Sequence, residues 1–289
     1  MNLPPAILPG KLEEKKKKAL VSLLADEDLN VYRTVRQKII SYGPSSAQWM
    51  REHILSSDPL LRRRAHEIVN HFGSQDADTR LLAFCLNQGE DFDLEKSVLL
   101  LARTQYPNIN AEAYSAVLDG FADELRERLD LNGGPEHILR ITNDYLFREL
   151  KFMGDEHNFY DPDNSYLNRV LDRRMGNPIS LSLVYLLIAR RLRLPMVGIG
   201  LPGHFLVRFQ TSRAEVYVDA FRGGRLMSKV DCIKQVVELR QHFDEGCLAP
   251  VSARRILLRI CANLHQIYTQ RKSPSQIERL QRYLFALAK

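Results

Sequence analysis

The 289-residue chain is poor in cysteine (four) and tryptophan (one), and it has no long hydrophobic run. Each shortage excludes a class. Cys85, Cys232, Cys247 and Cys261 form no CxxC pair and have no histidine at zinc-ligand spacing, so neither a disulfide scaffold nor a zinc ribbon is expected. Reduced, mostly buried thiols are the reading. The longest nearly apolar stretch, residues 179–189, has 11 positions. A membrane-spanning helix needs about 20. Residues 1–10 carry Pro4, Pro5 and Pro9 and lack a basic stretch followed by an apolar one, so they do not read as a secretory leader. A soluble, cytoplasmic protein without membrane contact is predicted. What the chain does have is 45% hydrophobic and 26% charged residues, the balance of a folded globular protein.

The net charge of +6 is unevenly spread. Residues 1–159 hold 20 basic and 25 acidic side chains, whereas residues 160–289 hold 21 basic and 10 acidic. A basic half of this kind favours an acidic protein partner or an anionic ligand. Nucleic-acid binding is the weaker alternative, because no base-reading motif accompanies the charge.

The N-terminal part contains an internal repeat. The stretch from Asp28 to Gly43 lines up with that from Asp58 to Gly73 at a period of 30. The matched positions Val31/Leu61, Val35/Ala65, Ile39/Val69 and Tyr42/Phe72 fall on one helical face. Each helix is expected to start after its Asp and to stop at its Gly. A short apolar helix precedes each, at 19–25 and 47–55. Paired helices of this kind resemble HEAT-type repeats, which bury a core by stacking. The lead-in at 11–18 (KLEEKKKK) reads as a solvated helical turn, and Arg62-Arg63-Arg64 as a solvated helix face.

Beyond residue 90 the pattern predicts amphipathic helices at 94–105, 111–129 and 138–151, a polar loop at 154–165, and helices at 166–174 and 178–192. The period then switches to two, which predicts strands at 196–201, 204–210 and 215–221, with a further one at 225–228. Helices return at 253–271 and 274–288. The expected class is α+β and mostly helical: helical repeats over 1–90, a core of one central helix on a small antiparallel sheet over 91–250, and a helical hairpin over 251–289.

Chemistry is expected at the hairpin of strands. Pairing Arg208 with Glu215 sets opposite charges across the ladder and places Phe205, Val207, Phe209, Val216 and Val218 on one face. The same register puts His204 opposite Asp219. A carboxylate beside an imidazole orients it and raises its basicity, as in catalytic triads. The pair serves equally well as a structural hydrogen bond. Asn177 and Pro178 suit the N-cap and first position of the apolar helix. A nucleophile in that first turn would feel the positive end of the helix. No cysteine stands there; Ser180 is the nearest hydroxyl and Ser182 the next.

Three stretches together resemble the bacterial SirB-type transglutaminase-like proteins. They run from Phe159 to Leu171 (FYDPDNSYLNRVL), from Arg174 to Tyr185 (RMGNPISLSLVY) and from Pro202 to Arg208 (PGHFLVR). The upstream stretch from Asp93 to Arg103 looks like the start of the same module. The resemblance implies a papain-like core in which a nucleophilic Cys opens the central helix and His and Asp come from adjacent strands. His204 and Asp219 match the His and the Asp. Counting back from Leu194-Pro195 puts Pro178 at the Cys position, and a two-residue shift puts Ser180 there, so the thiol is missing, as in SirB-type proteins generally. The final helical pair, with Asn263-Leu264 and Tyr268, resembles a tetratricopeptide-like hairpin.

The expected function is a non-catalytic interaction or regulatory protein without cofactor or metal. The alternative is a serine hydrolase or acyl transferase using Ser180, His204 and Asp219. Asp161, Asp163, Ser165 and Asp172 approach calcium-loop spacing but carry Tyr166 where the loop needs Gly, so an Asx-rich capping loop is expected. Asn164 and Asn168 lie one turn apart and read as local caps. Cys247 lacks a helix N-terminus, and His66 and His71 are five apart, the wrong step for shared metal ligation.

Overall fold

The computed structural model describes residues 13–130, 133–212, 214–238 and 245–289. The proline-bearing start at 1–10 and the first residues of the charged lead-in lie outside them. The chain forms two compact units, one of residues up to Ala77 plus Thr104–Asn108, the other of Asp78–Arg103 plus Ile109–Lys289.

The first unit holds α1 (Glu14–Leu24), α2 (Leu29–Ser41), α3 (Ser45–Met50) and most of α4 (Pro59–Asn87). The repeat is visible in the caps. The carboxylate of Asp28 accepts from the N–H of Asn30 at 2.7 Å, and that of Asp58 from the N–H of Leu60 at 2.8 Å. Leu24, Val35, Ile39, Met50, Ile68 and Phe72 close the core of this unit. The second helix of the repeat does not stop at Gly73 as the spacing predicts. It runs on to Asn87 because Ala77, Leu81 and Cys85, at steps of four, carry the buried stripe forward. Gly73 serves a close approach instead: a Cβ there would stand 2.8 Å from Cβ of Pro107.

The second unit is α+β and mostly helical, as expected. After α5 (Leu94–Gln105), α6 (Ala111–Arg128) and α7 (Pro135–Asn143), the predicted helix at 138–151 changes to a π-helical turn at Asp144–Glu149. Two short strands follow that the period did not show: β1 (Met153–Gly154) pairs in parallel with β2 (Met175–Gly176). Between them lies α8 (Leu167–Arg173), and after them the apolar α9 (Pro178–Arg191).

Then come β3 (Met196–Ile199), β4 (Leu206–Gln210), β5 (Glu215–Asp219) and β6 (Arg225–Met227), an antiparallel meander in that order. A helix absent from the sequence reading, α10 (Lys229–Glu238), covers the sheet through Cys232 and Val236, which join Ile199, Leu206, Tyr217 and Met227 in one buried cluster. The chain ends in α11 (Ala253–Gln270) and α12 (Pro274–Leu287).

The β4–β5 register differs from the expected one by two residues. Val207 pairs with Val218, Phe209 with Val216, and Gln210 rather than Arg208 with Glu215. A shift of two preserves which side chains share a face. Arg208 therefore still reaches Glu215, diagonally, at 3.2 Å.

One buried cation ties helix ends together. Arg254 of α11 donates to the carbonyls of Cys85 and Gln88 at 3.1 and 3.0 Å and to that of Leu287 at 2.9 Å. A guanidinium at these two C-termini satisfies carbonyls that have no partner within their own helices and complements both helix dipoles.

Candidate functional site

The N-terminus of α9 is closed by a capping box. Oδ1 of Asn177 accepts from the N–H of Ser180 at 3.0 Å, and Oγ of Ser180 accepts from the N–H of Asn177 at 3.0 Å. The Ser180 hydroxyl donates to the Asn177 carbonyl at 3.1 Å. Asn177 is held in turn by donating from Nδ2 to Oγ of Ser165 at 2.9 Å. Ser180 is 0% exposed, and a Cβ on Gly176 would stand 2.5 Å from its Oγ. Its hydrogen bonds go to Asn177, so its donor and an acceptor position are spent on the cap. Ser182 donates to the carbonyl of Phe205 at 3.3 Å and so fastens α9 to β4.

His204 and Asp219 do come together. Nε2 of His204 lies 2.9 Å from Oδ2 of Asp219, with the ring 8% exposed and the carboxylate 0% exposed. They meet diagonally rather than directly opposite, a consequence of the two-residue register difference. The two atoms approach without hydrogen-bond alignment, so the contact is a close approach rather than an aligned hydrogen bond. Oδ1 of Asp219 accepts from the N–H of Arg222 at 3.2 Å, and the guanidinium of Arg222 lies 3.7 Å from Oδ2. The imidazole packs edge-on to Phe221, which packs edge-on to Phe159.

The turn that presents His204 is held from α11. Arg259 donates to the carbonyls of Leu201 and His204, the latter at 2.6 Å, and lies over the Phe205 ring at 5.6 Å. Burial pushes its guanidinium below the usual arginine range. Sequence reasoning passed over Arg259. The clue was a cation set in an apolar stripe, beside the buried Ile256 and Ile260.

The Asp-rich loop is neutralised from within. Arg173 reaches Asp161 at 2.9 Å and both Asp155 and Asp163 at 3.6 Å, while Arg169 holds Asp163 at 2.9 Å. Asp161 caps the turn at Pro162–Ser165, accepting from the N–H of Asp163. Asn164 donates to Asp155 and to the carbonyl of Asn158, and Oδ1 of Asn164 and of Asn168 are buried without a hydrogen-bond partner. Among the described residues no three His, Cys, Asp or Glu side chains gather as metal ligands.

The four cysteines are free thiols. Burial pushes Cys85 up to about 11 and Cys232 up to about 12, and raises Cys261 as well. Cys247 is half-buried, in the turn at Glu245–Leu248.

The family model described as transglutaminase-like superfamily matches residues 112–262. The chain belongs to this superfamily. Its transglutaminase-like segment runs from α6 into α11 and includes Ser180, His204 and Asp219.

Several relatives match part of the chain. A UPF0162 protein of Xylella fastidiosa is 37% identical over 188 residues, 62% of this chain and 66% of that protein. A UPF0162 protein of Pseudomonas aeruginosa is 34% identical over 44% of this chain and 47% of its own length. Human F-box only protein 21 is 35% identical over 136 residues, 44% of this chain and 21% of that protein. The match thus spans just under two thirds of the Xylella relative. No solved structure gives a significant match. No helix of the described residues is long and apolar enough to cross a membrane.

Proposed function

We propose that this is a non-catalytic interaction or regulatory protein built on a transglutaminase-like core that lacks the nucleophilic cysteine. The observation that carries the reading is the first turn of α9. It offers no thiol, and its only hydroxyl, on Ser180, is buried and engaged with Asn177. A general base needs an acidic proton within reach, and here the cap holds that proton. The reading extends to SirB-type membership, HEAT-like packing of the helices over 1–90, a tetratricopeptide-like hairpin over 251–289 and a cytoplasmic setting. The basic surplus of residues 160–289 favours an acidic protein partner over nucleic acid. That the matched segment makes up only 21% of human F-box only protein 21 fits a module combined with other parts.

A second reading, hydrolysis or acyl transfer by Ser180, His204 and Asp219, draws its support from the 2.9 Å His204–Asp219 contact. Serine-directed fluorophosphonate and thiol-directed iodoacetamide, followed by peptide mapping, separate the two. The non-catalytic reading expects no site-specific labelling in the core. Stoichiometric labelling of Ser180, abolished in His204→Ala, would overturn it.

A further inference from the structure

Away from the His–Asp pair, a cleft of about 830 Å³ opens between α5, α6 and the C-terminal end of α9. None of its lining residues belongs to the pair. Along α5, Lys96, Leu99, Leu100 and Arg103 all line it. Their spacing, i, i+3, i+4 and i+7, is that of one helical face. The stripe therefore reads cation, two leucines, cation. At 1.5 Å of rise per residue the two cations lie about 10 Å apart along the axis. Leu99 is buried, Leu100 half-buried, and Ala111 of α6 faces the same space.

Three of the four acidic groups of the cleft, Asp93, Glu95 and Asp119, are answered from within, and the fourth, Glu112, is exposed. Arg191 reaches Glu95 at 2.7 Å and Asp119 at 2.6 Å, and donates to the carbonyl of Leu187 at 3.2 Å. This network fastens the end of α9 to α5 and α6. Arg190 approaches Asp93 at 3.9 Å. Lys96 and Arg103, by contrast, form no ion pair among the described residues. The positive charge left on the α5 face is thus not consumed by the fold, and it brackets an apolar strip.

We infer that this cleft docks an acidic amphipathic helix of a partner protein. Two carboxylates about seven residues apart would meet Lys96 and Arg103, and apolar side chains between them would lie on the half-buried Leu100 and Ala111, above the buried Leu99. This is recognition of a helix by its i, i+3, i+4 and i+7 anchors, with charge setting register and orientation. The inference rests on the interaction-protein reading and names the partner's chemistry.

The test is fluorescence anisotropy with a labelled synthetic helix carrying two Glu seven residues apart and Leu at the third and fourth positions between them. A second peptide has Lys in place of both Glu. The unmodified full-length protein should bind the Glu peptide, and more weakly as salt rises. The double variant Lys96→Glu/Arg103→Glu should bind it about tenfold or more weakly and should gain affinity for the Lys peptide. Circular dichroism checks that the variant is folded, and the recovered binding of the Lys peptide excludes simple misfolding. No binding of the Glu peptide by the unmodified protein, or equal affinity for the double variant, overturns the inference. Neither result bears on the labelling of Ser180, so failure here is distinct from failure of the non-catalytic reading.

Discussion

Arg259 of α11 donates 2.6 Å to the backbone carbonyl of His204, so the imidazole's turn is anchored by a helix that follows it by some fifty residues. The same guanidinium also takes the carbonyl of Leu201, and the two bonds bracket Pro202-Gly203. Both bonds leave one terminal nitrogen, Nη2, whose two N–H groups are fixed in the guanidinium plane, whereas an ammonium is a rotatable point donor. Arg259→Gln should therefore lower stability by about 2–3 kcal/mol, with Arg259→Lys falling between it and the native protein. Urea denaturation measures this. The His204 imidazole resonances should shift in both variants while those of His66, in the other unit, stay put. Unchanged His204 resonances would reduce Arg259 to a packing role.

The capping box makes Ser180 a structural residue with a measurable share. Ser180→Ala and Asn177→Ala should each cost about 1 kcal/mol, and the double variant less than the sum, because both remove the same reciprocal pair. Strict additivity in denaturation midpoints would show that the two side chains act independently.

Thiol chemistry should follow burial. At pH 8, an aromatic disulfide reagent should modify Cys247 in the folded protein, whereas Cys85, Cys232 and Cys261 should react only as the chain unfolds. Their pKa values are raised by burial, which lowers thiolate, and access is closed as well. Rapid reaction of all four without denaturant would contradict this.

Alkaline pH should weaken the fold. Burial, with help from Glu215, pushes Tyr217 up to about 12, while in the unfolded chain it titrates near 10. A folded-state value above the unfolded one means the native state holds its proton more tightly. The associated stability is fully present below about pH 10 and is lost as pH rises toward 12. Urea midpoints taken between pH 8 and 11 should fall at the upper end, and less steeply in Tyr217→Phe. A flat profile in the native protein would refute the assignment.

Much of the fold was legible because pattern and burial agree. The caps at Asp28, Asp58 and Asn177 and the apolar run of α9 are local features, and each appears where its residues predict. The His204–Asp219 meeting was also legible, since the alternation of a strand survives a register shift of two. What escaped notice depends on distant neighbours. Gly73 looks like a stop, but the buried stripe of Ala77, Leu81 and Cys85 overrides it. The two-residue strands β1 and β2 are too short to show a period. Arg208 and Glu215 are drawn together diagonally, a geometry that a pairing rule based on opposite residues misplaces. The role of Arg259 is set by carbonyls that lie far away in sequence.

The parallel bridge of Met153–Gly154 with Met175–Gly176 has a bearing on covalent continuity. It closes a ring made of the Asp-rich loop and α8, and Arg173 at one end grips Asp155 and Asp161 nearer the other. The stretch from Glu156 to Tyr160 is exposed on the outside of this closed ring. A single protease cut there would sever the backbone without releasing either piece. The nicked protein should run as two bands in denaturant and elute as one body under native conditions, its halves held by the bridge, the arginine and the packed core. The ring would then be a natural place to split this chain into two complementing fragments.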